Sequence, residues 1–107
     1  MIRQQITIRN KLGLHARAAA KLVQVASRFT CAVRIKRDSQ EVNAKSILGL
    51  LLLAATPGTV LTLICEGADE ADAAAALTAL VEARFDEDKY LNEDELAATG
   101  SLPDGGE

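Results

Sequence analysis

The sequence predicts an α+β domain of order β-α-β-β-α-β-α, with a four-stranded, mainly antiparallel sheet and three helices on one face. Segments near residues 2–8, 31–36 and 60–66 alternate apolar and polar side chains with a period of two, and helical patterns lie between and after them. Two helical crossovers flank a hairpin, so the strands can pair antiparallel while the helices share a face. The chain has 107 residues, 49% of them hydrophobic, with one Tyr, two Phe and no Trp, which is enough for one aliphatic core and too little for two.

The elements follow in order. Ile2, Ile6 and Ile8 fall on one face of a first strand, with Arg3, Gln5 and Thr7 on the other. Asn10 to Leu14 breaks the alternation, and Gly13 permits a turn. From Ala16 to Arg28, Ala19, Leu22, Val23 and Ala26 form a helical apolar stripe opposite Arg17, Lys21, Gln24 and Arg28. Cys31, Val33 and Ile35 alternate in a second strand, and the polar stretch Arg37 to Gln40 turns the chain into an edge strand ending at Val42. Ile47 to Ala55 reads as a compact apolar helix that stops before Thr56-Pro57-Gly58, a type II turn pattern. Val60 to Glu66 is a strand with Leu61, Leu63 and Cys65 inward. Asp69 is the expected N-cap of a last helix lined by Ala73, Ala76, Leu77, Leu80 and Arg84. Arg3, Gln5, Arg34 and Lys36 are expected on the open, solvated face of the sheet.

Composition narrows the function. The longest apolar run is far shorter than the roughly 20 residues that cross a bilayer, and the N-terminus lacks an apolar signal region, so a cytoplasmic protein without membrane contact is expected. Residues 1–85 contain 11 Lys+Arg and 7 Asp+Glu, whereas residues 86–107 contain one Lys and 8 acids. A mildly basic body without interleaved aromatics or a dense cationic run fits an acidic protein partner and not a nucleic acid. Cys31 and Cys65 lack metal-ligand spacing and are expected as reduced core residues. No cofactor and no metal are expected.

The first turn of a helix leaves four backbone N–H groups without intrahelical acceptors and carries partial positive charge, so Ser, Thr, Asp or Asn usually caps it. Here that position holds His15, the only histidine. The helix end and nearby Arg17 disfavour imidazolium, so His15 should be neutral near pH 7 and able to attack phosphorus through a ring lone pair. A phosphoryl group on it would meet the amides of Ala16, Arg17 and Ala18 and the Arg17 guanidinium. On these arguments alone, a surface histidine without a task weighs equally. A metal site or an independent hydrolase lacks a second group to support it.

Gly13-Leu14-His15-Ala16-Arg17-Ala18-Ala19 resembles the active-site loop of the histidine-containing phosphocarrier protein (HPr) family of the bacterial phosphotransferase system. Asn43-Ala44-Lys45-Ser46-Ile47-Leu48-Gly49-Leu50 resembles that family's second motif, at the family's spacing. The resemblance covers residues 2 to about 85. It implies an open-faced β-sandwich and a phosphocarrier, not an independent enzyme. His15 would accept phosphoryl from phosphorylated Enzyme I and pass it to an Enzyme II A component, with Arg17 steadying the group, in sugar uptake or nitrogen-related regulation. The alternative is a regulatory binding module that uses the same surface to control a transcription factor or kinase. Many members have Pro where this chain has Ala18, which implies a slightly looser helix start.

The resemblance also implies that Ser46 is a target of HPr kinase/phosphorylase, although helix capping alone would explain a serine there. Ile47, Leu48 and Leu51 are the implied partner-docking patch, and a monomer is expected. The sequence divides into a phosphocarrier domain over residues 1–85 and an acidic, flexible tail over 86–107, with a short helix around 92–98. Part of that tail, residues 86–95, is expected to fold at times over the basic area near Lys11, Arg17 and Lys45 and compete with partners.

Overall fold

A computed structural model gives the fold and describes residues 1–87. Strand β1 (Ile2–Thr7) leads to helix α1 (Ala16–Ala26), the hairpin β2 (Ala32–Arg37) and β3 (Gln40–Asn43), helix α2 (Ile47–Leu52), strand β4 (Val60–Glu66) and helix α3 (Glu70–Glu82). The sheet runs β1-β4-β2-β3, and all its pairings are antiparallel. The result is an open-faced α+β sandwich in the expected element order.

Alternation in the strands builds one side of the core. Ile6 lies opposite Leu61, Val33 opposite Cys65 and Ile35 opposite Leu63, and all six are buried. The helices supply the other side through Ala18, Ala19, Leu22 and Ala26 of α1, Leu50 of α2, and Ala73, Ala74, Leu77 and Val81 of α3. Both cysteines are buried free thiols, and burial pushes Cys65 up to about 11, so neither is poised to react.

Several expectations need correction. The face of α3 turned inward is Ala73, Ala74, Leu77 and Val81, whereas Arg84 is exposed and lies beyond the helix. Asp69 sits at the N-cap of α3 but makes no capping bond; its carboxylate instead accepts from the Thr30 amide at 2.8 Å and the Cys31 amide at 2.9 Å. Helix α2 stops at Leu52, short of Ala55, because Ala54 takes a left-handed φ of 50° and Arg37 Nη1 donates to the carbonyls of Leu53 and Ala54 at 2.7 and 2.9 Å. Helix α1 likewise ends two residues early, at Ala26, where the amides of Arg28 and Phe29 bond back only three residues. The open sheet face is not wholly solvated either. Ile64 is buried there, in register with Arg3 of β1 on one side and Arg34 of β2 on the other.

The largest departure follows α3. Arg84, Phe85 and Asp86 all have left-handed φ, at 57°, 55° and 57°, a run that costs roughly 1–2 kcal/mol per residue. Phe85 is fully buried in the core, and Glu87 is only 1% exposed. The packed body therefore continues through Glu87, past the boundary expected after Phe85. Residues 88–107, with the helix expected around 92–98, lie outside the described residues.

Candidate functional site

The site starts in the loop between β1 and α1. Asn10 is buried, and its Nδ2 donates to the Gly13 carbonyl at 2.7 Å, closing the turn from inside. Gly13 has a φ of +69°, and a Cβ added there would sit 2.6 Å from the Ala55 carbonyl oxygen, so the position requires glycine on both counts. The Leu14 amide donates to that same Ala55 oxygen at 2.9 Å, which fixes the loop to the segment after α2.

His15 follows at the N-cap of α1, in extended backbone (φ −86°, ψ −179°), and its side chain makes no capping hydrogen bond. The first bond of the helical ladder runs from the Ala19 amide to the His15 carbonyl at 2.8 Å. The amides of Ala16, Arg17 and Ala18 precede the ladder and point along the axis toward the helix start. The His15 ring is 25% exposed, but Nε2 is buried and lies 3.7 Å from Oε2 of Glu87. Burial, above all, lowers the imidazole pKa from its usual value; Glu87 opposes that shift and Arg17 adds to it. The ring is therefore neutral at pH 7, as expected from the sequence, but burial contributes more than Arg17.

Glu87 was not legible as a site residue. Its Oε1 accepts from the Lys11 amide at 2.7 Å, and its Oε2 accepts from Asn10 Nδ2 at 2.9 Å and the Leu12 amide at 3.2 Å. Burial pushes its carboxyl up, but Asn10, the two amides and His15 outweigh that and leave its pKa below the usual glutamate value. Asn10 joins both halves of this arrangement through one amide group. In the sequence it is only the residue at which the strand pattern breaks.

The second expected site is at α2. Ser46 caps that helix, its Oγ accepting from the Gly49 amide at 3.1 Å, and Lys45 is tied back by donating from Nζ to the Phe29 carbonyl at 2.8 Å. Ile47, Leu48 and Leu51 are 42%, 68% and 37% exposed, whereas Leu50 and Leu53 are core. The outward face of α2 is thus apolar, and α2 packs beside α1. Among the described residues no cluster of three or more His, Cys, Asp or Glu could hold a metal, and no helix is long and apolar enough to cross a membrane.

Fold and site together define a small α+β protein that presents one neutral histidine at an uncapped helix N-terminus, beside an exposed apolar helix face. Comparison with known proteins places it more closely. Residues 2–83 match the family model for the HPr component phosphorylation site of the phosphotransferase system. The chain is 51% identical over 88 residues to a phosphocarrier protein HPr from Xylella fastidiosa, covering 82% of this chain and 99% of that protein. The crystal structure of HPr from Thermoanaerobacter tengcongensis superposes with a TM-score of 0.79 at 46% identity, over 81% of this chain and 98% of the other. That of the Bacillus subtilis catabolite repression protein Crh, a domain-swapped dimer, superposes with a TM-score of 0.64 at 48% identity, over 78% and 97%. The chain belongs to the HPr family, the phosphocarriers of the phosphotransferase system.

Proposed function

We propose that His15 accepts a phosphoryl group from phosphorylated Enzyme I and hands it to an Enzyme II A component, serving sugar uptake or nitrogen-related regulation. The observation that carries this reading is a neutral histidine standing where α1 lacks a side-chain cap. With Nε2 buried, Nδ1 is the nucleophile. The arriving group takes the place of a cap, receiving the amides of Ala16, Arg17 and Ala18 at the positive end of the helix. Arg17 supplies the charge that steadies it. The protein is a carrier in a relay and holds the group as phosphohistidine between two partners.

Partners dock on Ile47, Leu48 and Leu51, whose exposure beside α1 supports that role. The carrier domain is the part up to Phe85 together with the two residues that follow it. Ser46 is the regulatory position. A phosphate there would sit at a helix start that tolerates anions, leaving the fold intact while opposing an acidic partner. Likeness to Crh favours a second reading, in which this surface also binds a regulatory protein.

The test is incubation of the full chain with phosphoenolpyruvate and Enzyme I. An acid-labile, base-stable adduct that is lost in His15→Ala is expected. No adduct, with an Enzyme I shown active on another carrier, would overturn the reading.

A further inference from the structure

The surface around His15 is one-sided in charge. From Asn10 to Arg37 the chain contains seven Lys and Arg and no Asp or Glu. Helix α2 has no ionisable residue, and Lys45 stands just before its cap. On the same side, Leu12, Ile47, Leu48, Leu51 and Leu52 are 37 to 68% exposed. Single exposed apolar residues need no explanation, but several on one short helix form a patch that does. An apolar strip edged by cations suits an occupant whose leucines and aromatic rings are set among carboxylates.

The chain itself carries a segment of that chemistry. Residues 88–96 place Tyr90, Leu91 and Leu96 among Asp88, Glu93, Asp94 and Glu95, with Lys89 as the single cation. The segment also starts in the right place. Glu87 accepts from the Lys11 amide at 2.7 Å and the Leu12 amide at 3.2 Å, so the chain leaves the described body at the loop that presents His15. That loop is tied in turn to the end of α2, where the Leu14 amide donates to the Ala55 carbonyl at 2.9 Å. Nine extended residues reach about 30 Å, whereas the six residues of α2 span about 9 Å. A segment fixed at this point faces the patch at an effective concentration on the order of millimolar, so a weak contact is enough to populate it. The match to the Xylella fastidiosa carrier takes in 99% of that protein with 82% of this chain, and the family model covers residues 2–83, so most of the acidic segment has no counterpart there.

We propose that residues 88–96 occupy the outward face of α2 in cis, with Leu91 and Leu96 against Ile47, Leu48 and Leu51 and the carboxylates toward Lys11, Arg17 and Lys45, and that they compete there with protein partners. The competition rests on the phosphocarrier reading, which makes this face the docking surface. A second copy of the chain offers the same chemistry, but the exit point at the His15 loop favours the chain's own segment, because a tethered ligand has already lost most of its translational freedom. A segment that covers the face roughly two-thirds of the time weakens partner binding roughly threefold, since apparent affinity falls with the fraction of protein that is open. A partner in excess displaces it, so the effect lies in KM and not in kcat. Salt reduces the effect, because the Debye length falls from about 30 Å at 0.01 M to about 3 Å at 1 M.

The test uses the full chain with a nitroxide on Ser101→Cys, both native thiols being buried, and reads methyl NMR of the unphosphorylated protein at low salt. Broadening is expected at Ile47, Leu48 and Leu51 and not at Ile2, at the other end of β1 from the His15 loop. It should vanish when Leu91→Ser, Leu96→Ser, Glu93→Gln, Asp94→Asn and Glu95→Gln are combined, and it should be absent when spin-labelled protein is mixed with isotope-labelled protein lacking the nitroxide. Without the nitroxide, the same five substitutions should lower the KM of Enzyme I for this carrier about threefold at low salt and by less at high salt, with kcat unchanged. No broadening on α2, broadening that also arises in the mixture, or a KM that stays or rises would overturn the inference. Failure of every form to accept phosphoryl would defeat the carrier reading and leave the spin-label result to decide where the segment lies.

Discussion

The two helix N-termini near the site are treated in opposite ways. At α2, Ser46 turns its Oγ onto the Gly49 amide and completes its own cap. At α1, His15 takes the equivalent position and makes no capping bond. Capping is worth about 1 kcal/mol, so α1 forgoes stability that α2 takes. One helix start is finished by the fold, and the other is the place where, on the proposed reading, a phosphoryl group stands in for the cap. A reactive group at a helix end thus costs little, provided the loop that presents it is anchored elsewhere, here through Asn10, Gly13 and the Ala55 carbonyl.

Substitutions can break this contrast. His15→Ser should abolish phosphoryl uptake entirely and yet raise unfolding free energy by about 1 kcal/mol, because it installs the missing cap; uptake assays and thermal melts of one sample check both halves. Phe85→Ala should destabilise the protein by about 3–5 kcal/mol and release Glu87 from the loop, seen as a lower midpoint in denaturant and loss of amide protection at Lys11 and Leu12. Ser46→Ala should cost about 1 kcal/mol, measured by chemical denaturation, and leave the His15 resonances in place, since α1 does not depend on that cap.

The smallest effect is in the pH dependence. Because the folded-state pKa of His15 lies below its unfolded value of 6.5, the unfolded chain binds more protons between those values. Stability should therefore be highest above pH 6.5 and fall as pH drops below it toward the lowered folded value. Glu87 behaves as a depressed carboxylate: its contribution is present above its unfolded value of 4.5 and is lost as pH falls through the lower folded value. Denaturation followed from pH 8 to pH 3 should show both declines, and His15→Ala should remove the first alone.

Much of this was legible in the sequence, for physical reasons. Strand and helix order follow from periodicity, because burial on one face imposes a period on each element. His15 was legible because it is the only histidine and stands where a cap belongs. Helix ends were less so: α2 ends on a left-handed alanine and an arginine from β2, a signal distant from the helix itself. Asp69 has the right residue type at the right position, yet its carboxylate bonds across to Thr30 and Cys31, which only tertiary structure reveals. Glu87 was hidden most completely. It stands in an acidic run that reads as solvated, and its partner Asn10 is 77 residues away.

The central claim is that His15 carries phosphoryl on Nδ1, and 15N–31P correlation on the carrier phosphorylated by Enzyme I measures it directly. The account predicts phosphorus coupled to Nδ1 of His15. Phosphorus on Nε2, or on any other residue, would contradict it.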